Sequence, residues 1–288
     1  MPFQSQTALE CPVEQRKLLI ATGLLTTELA RLLHPAAGPA RLGTTENILY
    51  AIWLRLLQTA RSIEESCYAG YAHEQQALVR TMVNAASDLI FIADQPKPIE
   101  WAILYAMFSI ERRAQITSGY VRTGLISKEQ GEKWNAEASG KEKQVIAEFE
   151  QRGLKPATKH NQKRGHKPQT WSGLTDREII TKVGRGWYEN YYVPFSDAAH
   201  ASVMTAETEL KQIQAGKVVI GPRYLPRILS YVIIALADTL TMGASVINRH
   251  FKLGHDDELH RQDAAIRRAA DEFRSTLPVG EFEPEDAS

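Results

Sequence analysis

Apolar residues recur along most of this chain at the spacing of an amphipathic helix. The clearest example begins with a polar first turn, in which Thr44 or Thr45 can act as N-cap and Glu46 follows. An apolar stripe then runs through Ile48, Leu49, Ile52, Trp53, Leu56, Leu57, Ala60 and Ile63. This pattern predicts a helix that packs one face on a core.

A second helix is predicted over residues 73–93, and Pro96 and Pro98 end it. Residues 99–110, IEWAILYAMFSI, are apolar nearly all round. Because a helix tolerates that composition only where most of its surface contacts protein, we expect residues 99–110 to form the central helix.

Further helices are predicted in the second half of the chain. The Lys-rich and Glu-rich residues 127–151 indicate a solvated outer helix that ends near Gly153. Thr175 and Glu178 have capping-box spacing and begin a short helix, which Gly184 and Gly186 close.

Three more helical segments complete the prediction. Ser196 is the expected N-cap of a helix that continues to about residue 216, and the last two helices cover residues 223–253 and 255–274. No stretch shows the sustained alternation of a β-strand. The chain is therefore predicted to be all-α, a multi-helix bundle of about eight or nine helices.

The predicted domain organisation is a single helical domain over residues 1–288. A basic loop at 152–173 separates an N-terminal helical half (7–151) from a C-terminal half (174–275), and 276–288 form an acidic tail. Residues 152–168 hold six Lys or Arg, two His and no acid. The loop is interpreted either as a solvated connection or as a phosphate-binding segment for RNA or a nucleotide.

One apolar segment, residues 228–248, approaches the length of a membrane span. Asp238 lies at its middle, where a bilayer would penalise a charge, so a buried core helix is favoured and no membrane partner is expected. The N-terminus has no secretory pattern, and Cys11 and Cys67 suggest neither a disulfide framework nor a zinc site. A cytoplasmic location is expected.

Charge and motifs exclude several classes of function. The 34 basic residues balance the 34 acidic ones, so no long-range attraction for a polyanion is expected. No phosphate-binding loop, dinucleotide fingerprint, HExxH helix or GxSxG elbow occurs. Neither a cofactor nor a metal is predicted.

The first chemical candidate is Ser196 with His200, which share a helix face at a spacing of four residues. A histidine beside a hydroxyl can act as an acid or base near neutral pH. A helix N-cap followed by a hydrogen-bonded core histidine explains the same residues without catalysis.

The second candidate is the row Arg80, Asn84 and Asp88 on the face opposite the apolar stripe of its helix. Such a row can bind an anion through the guanidinium, or it can simply face solvent. Three further charged residues, Glu111, Arg112 and Arg113, end the very apolar segment and are explained by an ordinary ion pair.

An Arg followed four to six residues later by His occurs in helical nucleases of the HEPN class (higher eukaryotes and prokaryotes nucleotide-binding). Only Arg249 and His255 have this spacing, and Gly254 is expected to end the helix between them. The match is interpreted as a chance occurrence.

Several short motifs follow one another between residues 72 and 203: AHEQQALVRTMVNAASDLIFIAD, an apolar helix ending in ERR, WSG, an aromatic stretch with YY, and SDAAHAS. This series resembles a bacterial all-helical family catalogued as a domain of unknown function. The resemblance implies that its shared positions are Arg80, Trp171, Ser196 and His200. Where such proteins often carry an acid one turn after the arginine, this chain has Asn84, which weakens any role that needs a carboxylate there. A link to HEPN-like or abortive-infection proteins is an analogy of fold only.

The hypothesis from these patterns is a polar pocket where Arg80 and His200 meet beside the aromatic residues 187–192. The predicted site comprises His200, Arg80 and Ser196 as catalytic candidates and Asn84, Trp171, Tyr191 and Tyr192 as binding residues. The favoured interpretation is a module that binds a small anion or nucleotide, or a buried structural network. The alternative is a metal-independent ribonuclease of a defence type, with His200 as acid or base and Arg80 stabilising phosphate charge. The sequence leaves open whether the protein is an enzyme, and a homodimer through the last two helices is a further expectation.

Overall fold

The structure, a computed structural model, describes residues 11–34, 44–151, 153, 170–184, 186–199 and 226–277. These residues form nine α-helices and one π-helical turn. The helices are α1 (Val13–Leu33), α2 (Thr44–Tyr68), α3 (Ala72–Ala93), α4 (Pro98–Arg122), α5 (Lys128–Gln151), α6 (Asp176–Val183), α7 (Val193–Ala199), α8 (Pro226–Phe251) and α9 (Asp256–Ser275), and the π-turn is Tyr188–Tyr192. No β-strand occurs in the described ranges, and the predicted all-α fold is confirmed.

The described residues fall into two compact units that alternate along the chain. The first unit takes them from Met1–Pro39, Tyr50–Ile90 and Gly184–Ser288, and the second from Ala40–Leu49 and Phe91–Val183. The single domain divided by a basic loop stays a prediction. Residues 152–168, apart from Gly153, lie outside the described residues, and so does the tail beyond Leu277.

In the first unit, α8 supplies much of the core and packs against α1 and α9. Its fully buried residues include Val232, Ile233, Leu236, Leu240 and Ile247. Gly243 lets α8 approach α2 closely, since a Cβ there would lie 2.9 Å from Leu56 Cδ1 and 3.3 Å from Trp53 Cζ3. Burial of this apolar surface is the main force that holds the unit together.

The apolar helix α8 also has the length and composition of a membrane span over Ile228–Phe251. Within its most apolar window, 72% is buried inside the protein. The core helix of a folded domain has the same properties, and Asp238 in its middle contacts other side chains of the first unit.

The second unit contains a pair of long helices, α4 and α5, joined by a short connection. Gly131 on α5 lies against Val121 and Thr117 on α4, where a Cβ would collide with the Val121 side chain. Ser127 caps α5, because its Oγ accepts a hydrogen bond from the Gln130 N–H at 3.1 Å. The described side chains of α5 are mostly exposed, which confirms the predicted outer helix.

The expectation that residues 99–110 form the central helix is wrong. They belong to α4, and Ile99 and Ile103 are 42% and 40% exposed. The reason is that α4 uses another face there: Trp101 and Tyr105 contact Trp171, and Ala102 and Leu104 are buried.

The predicted capping box of α6 is present. Thr175 N–H donates to Glu178 Oε2 at 2.7 Å, and Glu178 N–H donates to Thr175 Oγ1 at 3.2 Å. The hydrogen bond from the Thr175 backbone also lowers the pKa of Glu178. Gly184 and Gly186 follow with φ of +83° and +66°, and they end the helix as predicted.

Candidate functional site

Arg80 on α3 and Tyr192 in the π-turn meet within the first unit, although 112 residues separate them. Arg80 Nη2 donates a hydrogen bond to the Tyr192 hydroxyl at 3.0 Å. The Arg80 Cζ atom also lies 5.0 Å from the centroid of the Tyr192 ring, within the range of a cation–π contact. We refer to this contact as the Arg80–Tyr192 pair.

The π-turn orients Tyr192 and the neighbouring Tyr188. Its widened hydrogen bond runs from the Val193 N–H to the Tyr188 carbonyl, and Pro194 comes directly afterwards. Proline has no N–H and crowds the carbonyl four residues earlier, so a regular helical bond to Asn190 cannot form. Tyr188 stacks on Tyr192, with centroids 5.4 Å apart and rings 19° from parallel.

Tyr191 faces a different part of the first unit from Tyr192. It is buried, and its hydroxyl donates to Asp238 Oδ2 on α8. The rings of Tyr191 and Tyr231 are edge-to-face, with their centroids 6.3 Å apart. Burial, followed by the hydrogen bond to Asp238, raises the pKa of Tyr191.

Asp238 joins Tyr191 to helix α9. Arg267 Nη2 pairs with Asp238 Oδ1, while Arg267 Nε donates to Asp263 Oδ2 at 2.9 Å. The hydrogen bond to Asp263 is the first cause of the raised pKa of Arg267. Tyr191, Asp238, Arg267 and Asp263 form what we call the anchor network.

The row Arg80, Asn84 and Asp88 does not face open solvent, because all three side chains are half-buried. Ser87 lies on the same side of α3, seven residues after Arg80, and is fully buried. Thr81 donates to the Ala77 carbonyl at 3.1 Å, as hydroxyls in helices often do. By contrast, Ser87 Oγ has no hydrogen-bond partner in the described part of the chain.

Ser196 is not the N-cap that the sequence suggested. The chain is already helical from Trp187 through the π-turn, so Ser196 lies inside α7. Its half-buried side chain comes four residues after Tyr192 and near the same face. His200 lies outside the described residues, and the side chains of Glu111, Arg112 and Arg113 do too.

Trp171 belongs to the second unit, whereas Arg80 belongs to the first. Trp171 is buried among aromatic rings, with centroid distances of 5.8 Å to Phe91, 6.2 Å to Trp101 and 5.3 Å to Tyr105. All three contacts are edge-to-face, which is typical of aromatic core packing.

Arg249 and His255 flank the turn between α8 and α9. The helix ends between Arg249 and His255 as expected, but at Phe251, where Lys252 with a φ of +54° takes the left-handed position in place of Gly254. Asn248 fixes this turn, because its Oδ1 accepts the His255 N–H at 3.0 Å and its Nδ2 donates to Asp256 at 2.8 Å. No set of three metal-binding side chains converges among the described residues.

Five residues around the Arg80–Tyr192 pair and in the anchor network were not candidates from the sequence: Tyr188, Ser87, Asp238, Asp263 and Arg267. Asp238 gave a signal, since an acid in the middle of an apolar helix needs a partner. Arg267 gave none, because it is one of several arginines on a polar helix. Only the packing of α8 against α9 shows which arginine pairs with Asp238.

Comparison with known proteins gives a family and no function. No curated protein matches the chain, and no solved structure matches it. The model of a family described as "Family of unknown function (DUF5677)" matches residues 46–213, which is more than half of the chain. The matched region includes Arg80, Trp171, Tyr192 and Ser196, and the resemblance to a domain of unknown function is confirmed. The chain belongs to the DUF5677 family.

Proposed function

We propose that this protein is a binding module for a small phosphorylated ligand, and that Arg80 is its anion-binding group. The observation that carries the proposal is the Arg80–Tyr192 pair, in which one tyrosine contacts the guanidinium through both its hydroxyl and its ring. A nucleotide is the ligand class that combines a phosphate with a planar group for the neighbouring tyrosines.

The chemistry of the guanidinium supports an anion as ligand. Arginine presents five N–H donors in a rigid plane, and one of them bonds to the Tyr192 hydroxyl. Phosphate oxygens match the spacing of two parallel guanidinium donors. Because Tyr192 fixes the plane of Arg80, little side-chain entropy remains to be lost when an anion binds.

The neighbours of the pair suit the rest of such a ligand. Tyr188 stacks beside Tyr192 and is half-buried, so part of an aromatic surface remains accessible. Ser196 adds a hydroxyl one turn later. Stacking and hydroxyl contacts of this kind are common in nucleotide recognition.

The test is isothermal titration of the purified full chain with inorganic pyrophosphate, AMP, GMP and a short oligoribonucleotide. We expect at least one of these to bind the wild type, and Arg80→Ala to weaken that binding at least about tenfold, as for the loss of one charge-assisted contact. Arg55→Ala is the matched control, because Arg55 is an exposed arginine of the first unit. Equal losses in both variants, or no binding by the wild type, would remove the proposal.

We propose a metal-independent ribonuclease of a defence type as the second candidate. The supporting observation is a row: Tyr188, Tyr192 and Ser196 follow one another at intervals of four residues, and the next position at that interval is His200. A histidine near a phosphate-binding arginine can transfer protons in RNA cleavage. The test is cleavage of total cellular RNA by wild type and by a His200→Ala variant of equal melting temperature, in which only the wild type should cleave.

A further inference from the structure

We infer that Tyr191, Asp238 and Arg267 are positioning residues for the Arg80–Tyr192 pair. They hold the π-turn in the one arrangement that brings Tyr192 to Arg80. The inference rests on the proposed function only where it concerns ligand affinity. Its structural part, the position of the Tyr192 ring, can be measured without any ligand.

The first step is that two adjacent residues, Tyr191 and Tyr192, contact different helices. Tyr191 reaches Asp238 on α8, whereas Tyr192 reaches Arg80 on α3. One planar peptide bond joins them, so a change in the position of one backbone unit is passed to the next. The anchor network therefore acts on the same short segment that carries Tyr192.

The second step is that the π-turn needs such an anchor. Pro194 has no N–H, so the regular backbone bond from this position to the Asn190 carbonyl is missing at the end of the π-turn. A side-chain contact can therefore add to what holds this segment in place. Trp187 and Phe195 are buried on either side, but Tyr191 provides the directional hydrogen bond.

The third step is the arrangement of Asp238 itself. Each carboxylate oxygen has a different partner: Oδ2 accepts a hydrogen bond from Tyr191, and Oδ1 pairs with Arg267. Arg267 in turn binds Asp263, which lies four residues earlier on the same helix. The carboxylate is held from α9 at a fixed orientation, and it passes that orientation to the tyrosine hydroxyl.

The experiment is fluorine NMR of protein labelled with 3-fluorotyrosine. The Tyr192 signal is identified by its absence in Tyr192→Phe. We expect this signal to shift or broaden in Tyr191→Phe and in Arg267→Met. It should stay in place in Arg274→Met, the matched control, because Arg274 pairs with Asp271 on the same helix. A Tyr192 signal that is unchanged in Tyr191→Phe would overturn the inference.

A double variant tests whether Asp238 acts through Tyr191. Asp238→Asn should move the Tyr192 signal in the wild-type background and move it much less in the Tyr191→Phe background, because the linking hydroxyl is then missing. Equal shifts in the two backgrounds would show that Asp238 acts by another route, and would overturn this part of the inference. Tyr191→Phe is the mildest change and keeps the ring, so it serves as the main variant if Arg267→Met does not fold.

Affinity provides the second measurement. With whichever of pyrophosphate, AMP, GMP or the oligoribonucleotide binds the wild type, we expect the dissociation constant to rise about two- to thirtyfold in Tyr191→Phe, the range for residues that act through others. The titration is made well below both melting temperatures, so that loss of fold stability alone does not change it. Unchanged affinity together with a shifted Tyr192 signal would overturn the link to binding. If none of the four probes binds, the proposed function fails, and the NMR result still decides the positioning role.

Discussion

Trp171 in the second unit and Tyr192 in the first unit both lie among aromatic rings, but their neighbours differ. Trp171 contacts three rings edge-to-face and is buried. Tyr192 is half-buried, stacks on one ring and contacts a charged guanidinium. Both residues are aromatic, and the environments differ because neighbouring helices bring only rings to Trp171 but an arginine to Tyr192.

This difference shows why aromatic density in a sequence is a weak guide to function. A ring that meets only other rings contributes apolar burial and edge-to-face attraction, which stabilise the fold. A ring that carries a hydroxyl and meets an arginine fixes a polar group in place. The two clusters should therefore respond differently to substitution, in stability for one and in binding for the other.

The largest expected effect is the loss of stability in Trp171→Ala. Removal of a buried tryptophan side chain costs about 3–5 kcal/mol of unfolding free energy, because the surrounding rings cannot fill the cavity. Urea unfolding of the purified chain measures this cost. Trp134→Ala is the control, because Trp134 on α5 of the same unit is 40% exposed and should cost far less. Equal losses would show that Trp171 is not a core residue.

The next largest effect is expected in Tyr192→Phe, which should weaken ligand binding more than it lowers stability. This change removes the hydroxyl that accepts the Arg80 hydrogen bond and keeps the ring. We expect a loss of about 1 kcal/mol in stability, typical of one hydrogen bond, and a weakening of ligand binding by about tenfold as Arg80 loses its fixed plane. The titration used for Arg80→Ala provides the measurement. Tyr71→Phe, at an exposed tyrosine of the same unit, should change neither quantity.

A smaller loss of stability is expected from removal of the cap of α6, the helix that follows Trp171 in the second unit. Helix α6 begins five residues after Trp171, and its Lys182 Nζ lies 6.0 Å from the Phe91 ring centroid. Thr175→Ala removes the capping side chain and should lower the unfolding free energy by about 1 kcal/mol. Thr59→Ala is the control, because the Thr59 hydroxyl only bonds back to the Arg55 carbonyl of its own helix. Urea unfolding should show little change for the control.

The last effect appears only at alkaline pH, as a loss of the stability that Tyr191 contributes. Its pKa in the folded protein is raised above the ordinary tyrosine value of 10.0, so the unfolded chain releases this proton at a lower pH. The stability that Tyr191 contributes is thus present below about pH 10 and is lost as the pH rises further.

The measurement is urea unfolding between about pH 9 and pH 11 in a Cys67→Ala background. This background is needed because burial raises the pKa of the Cys67 thiol as well. Protein with Tyr191 should lose up to about 1.4 kcal/mol per pH unit more than Tyr191→Phe does. Parallel slopes for the two proteins would contradict a buried, protonated Tyr191 in the folded state.

The sequence predicted the helices well where local rules act alone. The period of apolar residues located α2 and α3, and the Thr175 and Glu178 pair located the start of α6. It failed at residues 99–110, where composition could not show which face of α4 would be covered. It also missed the π-turn, because Pro194 was not recognised as a break inside a continuing helix.

What the sequence determined by itself is the helical class and most helix boundaries, since each depends on residues a few positions apart. It also named Arg80 and the aromatic residues 187–192 as parts of one hypothetical pocket. Only the tertiary structure decided that Arg80 meets Tyr192 and that Asp238 takes Arg267 among several arginines. Such pairs join residues far apart in the chain, and their partners are set by how the helices pack. No local pattern of side chains encodes that choice, because the same polar residues would be equally suitable on a solvated helix face.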